Sequence, residues 1–424
     1  MVQTYFRSAV LVAVAVAMLL PVGNTAQADE LFTATTAITL PMGQKVRSFD
    51  ISFVDPVIGL YFLADRTNKA VDVIETSTNT VLTQLGKGVF TGTTPCSTPP
   101  PAGPNDCAGP NGVLTVNHRE AWVGDGDSTI KVFDLANGHI THTIHTCVAA
   151  AGCTATAPRR ADELCFDPRD QVVLMANDAA VPFPFITFIP TQGPNAYKVV
   201  KTITMDGTGG TPNATNGIEQ CQWSSRTGMF YLNIPEVNGP GDDTKPGVVL
   251  VISPQTMKIV RTFEIPLSVC AGPQGMAIGP ENQILLGCNN PNQTVPSSVI
   301  INDRSGAVIH VLANEDGSDE VWFNEGDGHY YLANGGALPS QRLGVVDAQT
   351  GKDDPSAITG AGNTPVTPHG RNHSVAADPI LNQVYVPIAN NSGSTVCSSA
   401  GGSDSQGCIA VFTSTGSDTP GHQP

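Results

Sequence analysis

Residues 70–79 read AVDVIETSTN: apolar and polar side chains alternate, then Ser, Thr and Asn break the run. Alternation followed by turn formers is the pattern of a β-strand entering a tight turn. The same element recurs as TIKVFDLANG (129–138), VVLVISPQTM (248–257), SVIINDRSG (298–306), RLGVVDAQTG (342–351) and CIAVFTSTG (408–416), with FPFITFIPTQG (183–193) a looser seventh. A second alternating run usually follows, as in TVLTQLG, HITHTIHT and KIVRTFEIP. Upstream lies a strand, a turn and another strand, as in FDISFVDPVIGLYFLAD (49–65) and ELCFDPRDQVVLMAN (163–177). Each unit is therefore four antiparallel strands, spanning roughly 56 residues.

Seven such units predict an all-β fold, a seven-bladed β-propeller of four-stranded antiparallel blades. The last unit stops after its third strand, near Phe412, while FTATTAITLP (32–41) reads like the fourth strands elsewhere. The N-terminal strand is expected to complete the last blade and close the ring. An open solenoid would instead need capped ends.

Residues 1–28 carry one basic residue, Arg7, then an apolar run and the A-x-A site Ala26-Gln27-Ala28. This is the pattern of a secretory signal peptide. It leaves residues 29–424 as a single propeller domain, exported to the periplasm or the extracellular space. Removing Arg7 takes the formal charge from −16 to −17. So acidic a chain argues against a nucleic-acid partner, which needs a basic surface. No other apolar stretch is long enough for membrane insertion. All ten Cys lie beyond the leader, as suits an oxidising compartment. Proximity pairs Cys96 with Cys107, Cys147 with Cys153, Cys270 with Cys288 and Cys397 with Cys408, leaving Cys165 and Cys221.

YFLADRTNKAVDVIETSTNTVLTQLG (61–86) resembles the repeat of YVTN-type propellers, and AWVGDGDSTIKVFDLANGHITHTI is similar. That resemblance implies the fold. It implies little chemistry, because such repeats serve lactone hydrolysis, lyase reactions and plain binding alike.

Aligning the first strands of the units on their DP, GP or NE turns gives one polar column: Asp50, Asn111, Asp162, Glu219, Gln274, Asp319 and His373. Blade 2 needs a one-residue bulge to fit. The column falls where the chain enters the innermost strand, so it should ring the mouth of the central channel. The second carboxylates of the pairs Asp162-Glu163 and Asp319-Glu320 should point to the blade interface or rim. Hard oxygen ligands in such a ring suit Ca²⁺ or Mg²⁺, and His373 widens the choice to Mn²⁺ or Zn²⁺. Without a cation, converging carboxylates must share protons, which also equips one of them as a general acid or base. Water-lined or purely structural use explains the same pattern.

GIEQCQW (217–223) and GPNGV (109–113) resemble segments of gluconolactonase-like propellers, in which Glu, Asn and Asp hold a divalent metal. That resemblance points to Glu219, Asn111 and Asp162 as ligands, although their order around the ring differs from the family's. The expectation is then a metal-assisted hydrolase or lyase acting on a small ester, lactone or sugar-derived substrate at the channel mouth. Asp162, Asp319 and His373 would be catalytic, and Arg371, Gln274 and Asp50 would hold substrate. The alternatives are a non-catalytic propeller that binds a ligand or protein partner, and a platform subunit of a periplasmic redox complex.

Weaker signals fall to structural readings. His142 and His145 lie three apart on an outermost strand, so they face opposite ways. VGDGDS (Asp125, Asp127) lacks the downstream Glu of a calcium loop. Ser224 and Ser225 lack a nucleophile elbow.

Overall fold

The computed structural model describes residues 32–93, 107–147, 153, 160–178, 183–289, 297–313, 315, 317–335, 342–353 and 373–414. The leader and Arg371 fall outside the described residues. Seven four-stranded antiparallel sheets form the blades. We number the blades 1 to 7 along the chain and letter their strands A (innermost) to D (outermost). The A strands are Ser52–Asp55, Val113–Val116, Ala161–Asp167, Cys221–Ser224, Pro273–Ile278, Ser318–Asn324 and Ala376–Asp378. Each A strand packs against the next, and the last packs against the first, so the ring is closed. The protein is a seven-bladed β-propeller.

The alternation read from the sequence follows the depth of each strand. Strands B and C are covered on both faces by neighbouring blades. Val172–Asn177 and Val248–Ser253, for example, are buried at every position. Strand D has one face in solvent, and His139–His145 buries only Ile144 among its seven residues. Burial on two faces explains why B and C strands such as VVLMAN and VVLVIS read as nearly continuous apolar runs, whereas AVDVIE in blade 1 keeps its alternation by burying Asp72. The DP and NE turns between strands A and B are built alike. The Oδ1 of Asp55, Asp167 and Asp378 accepts the N–H two residues on, at 3.1, 2.8 and 2.8 Å, and Asn324 does the same at 3.1 Å.

Closure occurs as expected. Phe32–Ile38 is strand D of blade 7 and pairs antiparallel with Cys408–Ser414, from Phe32 opposite Ser414 to Ile38 opposite Ile409. Phe32 is buried, and its ring meets the edges of His329 and Tyr331 at centroid distances of 5.7 Å each. The N-terminal strand thereby also ties blade 7 to blade 6.

Cys147–Cys153, Cys270–Cys288 and Cys397–Cys408 form as proximity predicted. Cys107 is disulfide-bonded, and Cys96 lies outside the described residues. The two cysteines left over join as Cys165–Cys221, linking the A strands of blades 3 and 4. Among the described residues no helix is long and apolar enough to cross a membrane.

Because Phe32 packs into a seam rather than a solvent face, Phe32→Ala should cost about 3–5 kcal/mol. A urea midpoint that moves by less than an equivalent of roughly 1 kcal/mol would show that strand pairing alone closes the ring.

Candidate functional site at the channel mouth

The polar column sits in a repeated β-bulge. In blade 1 the N–H of Asp50 donates to Ala64 O at 2.9 Å, and the N–H of Ala64 donates to Ile51 O at 3.1 Å. Two residues thus oppose one, which is the definition of a bulge. Asn111 and Gly112 oppose Gly124 in the same way in blade 2, and Glu219 and Gln220 oppose Asn233 in blade 4. In blades 3, 5 and 6 the ladder slips by one residue between Ala161 and Leu164, Pro273 and Met276, and Ser318 and Val321. The bulge that the alignment required for blade 2 is therefore shared by at least these six blades, and Asn111 sits in register with the rest.

A bulge re-aims side chains, and here it yields two polar layers instead of one. The upper layer is the predicted column. Below it, Glu163 of blade 3 and Glu320 of blade 6 hydrogen-bond to each other across the channel, which needs a proton on one of them. Burial and their mutual charge hold Glu163 well above the ordinary carboxylate range, and burial does the same for Glu320. Gln220 donates from Nε2 to Glu320 Oε2 at 2.8 Å, and its Oε1 accepts the backbone N–H groups of Met276 and Val321. The expectation that Glu163 and Glu320 face the rim or blade interface is corrected: both turn inward because the bulge breaks the period-two alternation.

Positive charge for the upper layer comes from arginines that the alignment does not contain. Arg66, just past strand B of blade 1, donates to Asp50 and to Asn111 Oδ1, the latter from Nη2 at 2.7 Å and from Nε at 3.1 Å. Asn111 Nδ2 donates to Ala161 O at 2.9 Å, so both ends of its amide are engaged. Gly112 donates its N–H to Asp162 O at 2.8 Å, and a Cβ there would lie 1.9 Å from that oxygen. Only glycine allows blades 2 and 3 to approach this closely. Arg160 pairs with Asp162 at 2.8 Å and with Asp178.

His373 bridges two blades. Its Nε2 lies 2.5 Å from Asp50 Oδ1 and its Nδ1 lies 2.5 Å from Asp319 Oδ2. Burial opposes its charge, but Asp319 and Asp50 outweigh that and hold the imidazole up at about 10. Burial would raise Asp50, yet Arg66 and His373 keep it well below the carboxylate range. Burial is overcome at Asp319 too, where His373 lowers the carboxyl. Asp162 and Glu219 go the other way. Burial raises both, aided by Asp50 and Asp178 at Asp162 and by Asp178 and Asp319 at Glu219, against the pull of Arg160.

The ring therefore has two unequal arcs. Across blades 7, 1 and 2, His373, Asp50, Arg66 and Asn111 saturate one another. Across blades 3 to 6, acceptors are left over. Asp162 is 3% exposed and its Oδ1 has no hydrogen-bond partner. Glu219, Gln274 and Asp319 are partly exposed. Among the described residues no hydrogen bond reaches the side chains of Glu219 or Gln274, although the Gln274 carbonyl accepts Asn233 Nδ2 at 2.8 Å.

Two members of the expected metal set, Asn111 and Asp162, already have cationic side-chain partners. No three His, Cys, Asp or Glu side chains among the described residues lie close enough to hold an ion. Of Glu219, Asn111 and Asp162, the second gives its oxygen to Arg66 and the third faces Arg160. A dication there would sit beside two guanidinium groups, which already supply the charge it would bring. Asp125 and Asp127 likewise hold an amine, with Lys131 Nζ bonded to Asp125 and 3.4 Å from Asp127. His142 stacks on Tyr197 with centroids 3.7 Å apart, and Ser224 Oγ caps a turn at Thr227 N, 3.4 Å away.

Arg66, Arg160, Asp178, Glu163, Gln220 and Glu320 are the site residues that sequence reasoning missed. A signal existed for Arg160, which lies two residues before Asp162 in a chain with only 21 Lys and Arg.

No protein-family profile matches the chain, and no curated protein matches it. Among solved structures, it is similar to a chain of "Crystal Structure of Mitotic Checkpoint Complex" with a TM-score of 0.57 and 12% identity, over 96% of this chain and 98% of that one. At that identity the likeness carries the fold alone.

A histidine whose pKa is raised from 6.5 to about 10 in the folded state adds stability that is complete below 6.5 and lost as pH rises through about 10. Stability should therefore fall across that window by up to about 1.4 kcal/mol per pH unit. Asp162 and Glu219, with raised values, push in the same direction. Comparing urea midpoints of wild type and His373→Gln isolates the histidine, and an unchanged slope in the variant would remove it from the account.

Proposed function

We propose that this protein is an exported binding propeller whose channel mouth receives a small polar ligand, without catalytic machinery of its own. The open arc carries the reading: Glu219, Gln274 and Asp319 are partly exposed, and beside them Asp162 keeps a buried Oδ1 that has no donor. Buried or half-buried acceptors without donors are costly and are normally satisfied by something.

Several features argue against the hydrolase expectation. His373 has both ring nitrogens bonded to carboxylates and stays charged at neutral pH, so it offers no base. Asp50 has both oxygens engaged, by Arg66 and His373. Asn111 and Asp162, two of the three expected metal ligands, are engaged by Arg66 and Arg160. The described disulfides and the leader-like first 28 residues support export. Docking of a protein partner is the second reading, resting on the structural neighbour's having come from a complex.

The purified mature protein should hydrolyse neither p-nitrophenyl acetate nor a δ-lactone above the buffer rate, with or without added Ca²⁺, Mg²⁺, Mn²⁺ or Zn²⁺. Turnover that disappears in Asp162→Asn, with the fold intact by circular dichroism, would replace this reading with the enzymatic one.

A further inference from the structure

We propose that the open arc, Asp162, Glu219, Gln274 and Asp319, binds the ammonium group of a small organic amine. This rests on the reading of the channel mouth as a ligand site, and it adds the chemical class of the ligand.

Charge gives the sign. Among the described residues, five carboxylates meet around the mouth, those of Asp50, Asp162, Asp178, Glu219 and Asp319, against three cationic groups, Arg66, Arg160 and His373. The surplus is not evenly placed. Arg66 and His373 saturate Asp50, whereas Arg160 is shared among Asp162, Asp178 and the more distant Glu219. The uncompensated charge therefore lies over blades 3 and 4. Asp162 Oδ1, on blade 3, is shielded from water and without a donor.

Geometry selects the kind of cation. Ca²⁺ or Mg²⁺ takes six or more oxygens, water included, converging within about 2.6 Å. The acceptors here come from four separate blades, and no three acidic, His or Cys side chains cluster among the described residues. An ammonium group carries one positive charge and three N–H donors, which carboxylate and neutral amide oxygens such as those of Glu219 and Gln274 can accept together. The protein already solves the same problem this way in blade 2, where Lys131 Nζ satisfies Asp125 and Thr129 Oγ1. Glu219 and Asp319 are partly exposed, so the group can arrive from the channel with its carbon skeleton facing out.

The arc is also held ready. Cys165 lies three residues after Asp162 and Cys221 two residues after Glu219, so their disulfide fixes the spacing of the two carboxylates. Asn233 Nδ2 donates to Gln274 O at 2.8 Å and to Gly275 O at 2.9 Å, which fixes blade 5 against blade 4. Preorganised acceptors lose little entropy on binding.

Isothermal titration of the mature protein with putrescine, glucosamine, glucose, gluconate and calcium chloride tests this. Putrescine or glucosamine should bind, and Glu219→Gln should weaken the binding at least about tenfold. Asp319→Asn should weaken it as well, and both variants should keep the wild-type circular dichroism spectrum. Glucose binding as tightly as glucosamine would overturn the ammonium assignment and leave the mouth a ligand site. Calcium binding that depends on Glu219, with neither amine binding, would overturn it in favour of a metal. If no organic probe binds up to roughly 10 mM, the assignment and the ligand-site reading both fall.

Discussion

The pairing of Phe32–Ile38 with Cys408–Ser414 holds the two ends of the chain in one sheet, and the channel exists only because that pairing closes the ring. The seam it creates between blades 7 and 1 is also where the site is most tightly built. Ser374 Oγ accepts the N–H of Ser52 at 2.8 Å across it, and Tyr61 stacks on Tyr385 with centroids 4.7 Å apart. His373 and Asp50 meet over the same seam. A chain whose ends separated would lose the saturated half of the ring together with its outer strand.

Within the closed ring, the repeated bulge decides what the channel contains. A regular strand would send Asp162 inward and Glu163 to the opposite face. Two residues opposing one instead bring both to the axis, and in blade 6 the same happens to Asp319 and Glu320. The lower layer of Glu163, Gln220 and Glu320 locks blades 3, 4 and 6 together through a shared proton and an amide that also caps two backbone N–H groups. The channel thus carries a polar network below and spare acceptors above.

So many buried carboxylates must be neutralised, and metals, protons and basic side chains are the available means. Among the described residues, two arginines and an imidazolium take part. Arginine forks suit the job because each can bridge partners in two blades, as Arg66 does with Asp50 and Asn111. The compensation stops short over blades 3 to 6, where Asp162 Oδ1 keeps no donor.

The sequence by itself determined the blades, their number and the closing strand, because these depend on strand periodicity and turn chemistry, which are local. It also determined the upper polar column, since one residue per repeat at a fixed offset from a turn survives any detail of packing. Only the tertiary structure decided the rest. Arg66 lies past strand B and Arg160 before strand A, at unrelated offsets, and they converge because the ring folds those positions onto one mouth. The union of Cys165 with Cys221 spans 56 residues and depends on blades 3 and 4 being neighbours. The inward turn of Glu163 and Glu320 depends on a bulge that composition does not encode. The pairing of Asp50 and Asp162 with guanidinium groups follows from those same contacts, because which charges neutralise each other is a question of distance, and distance between blades is not written in any one of them.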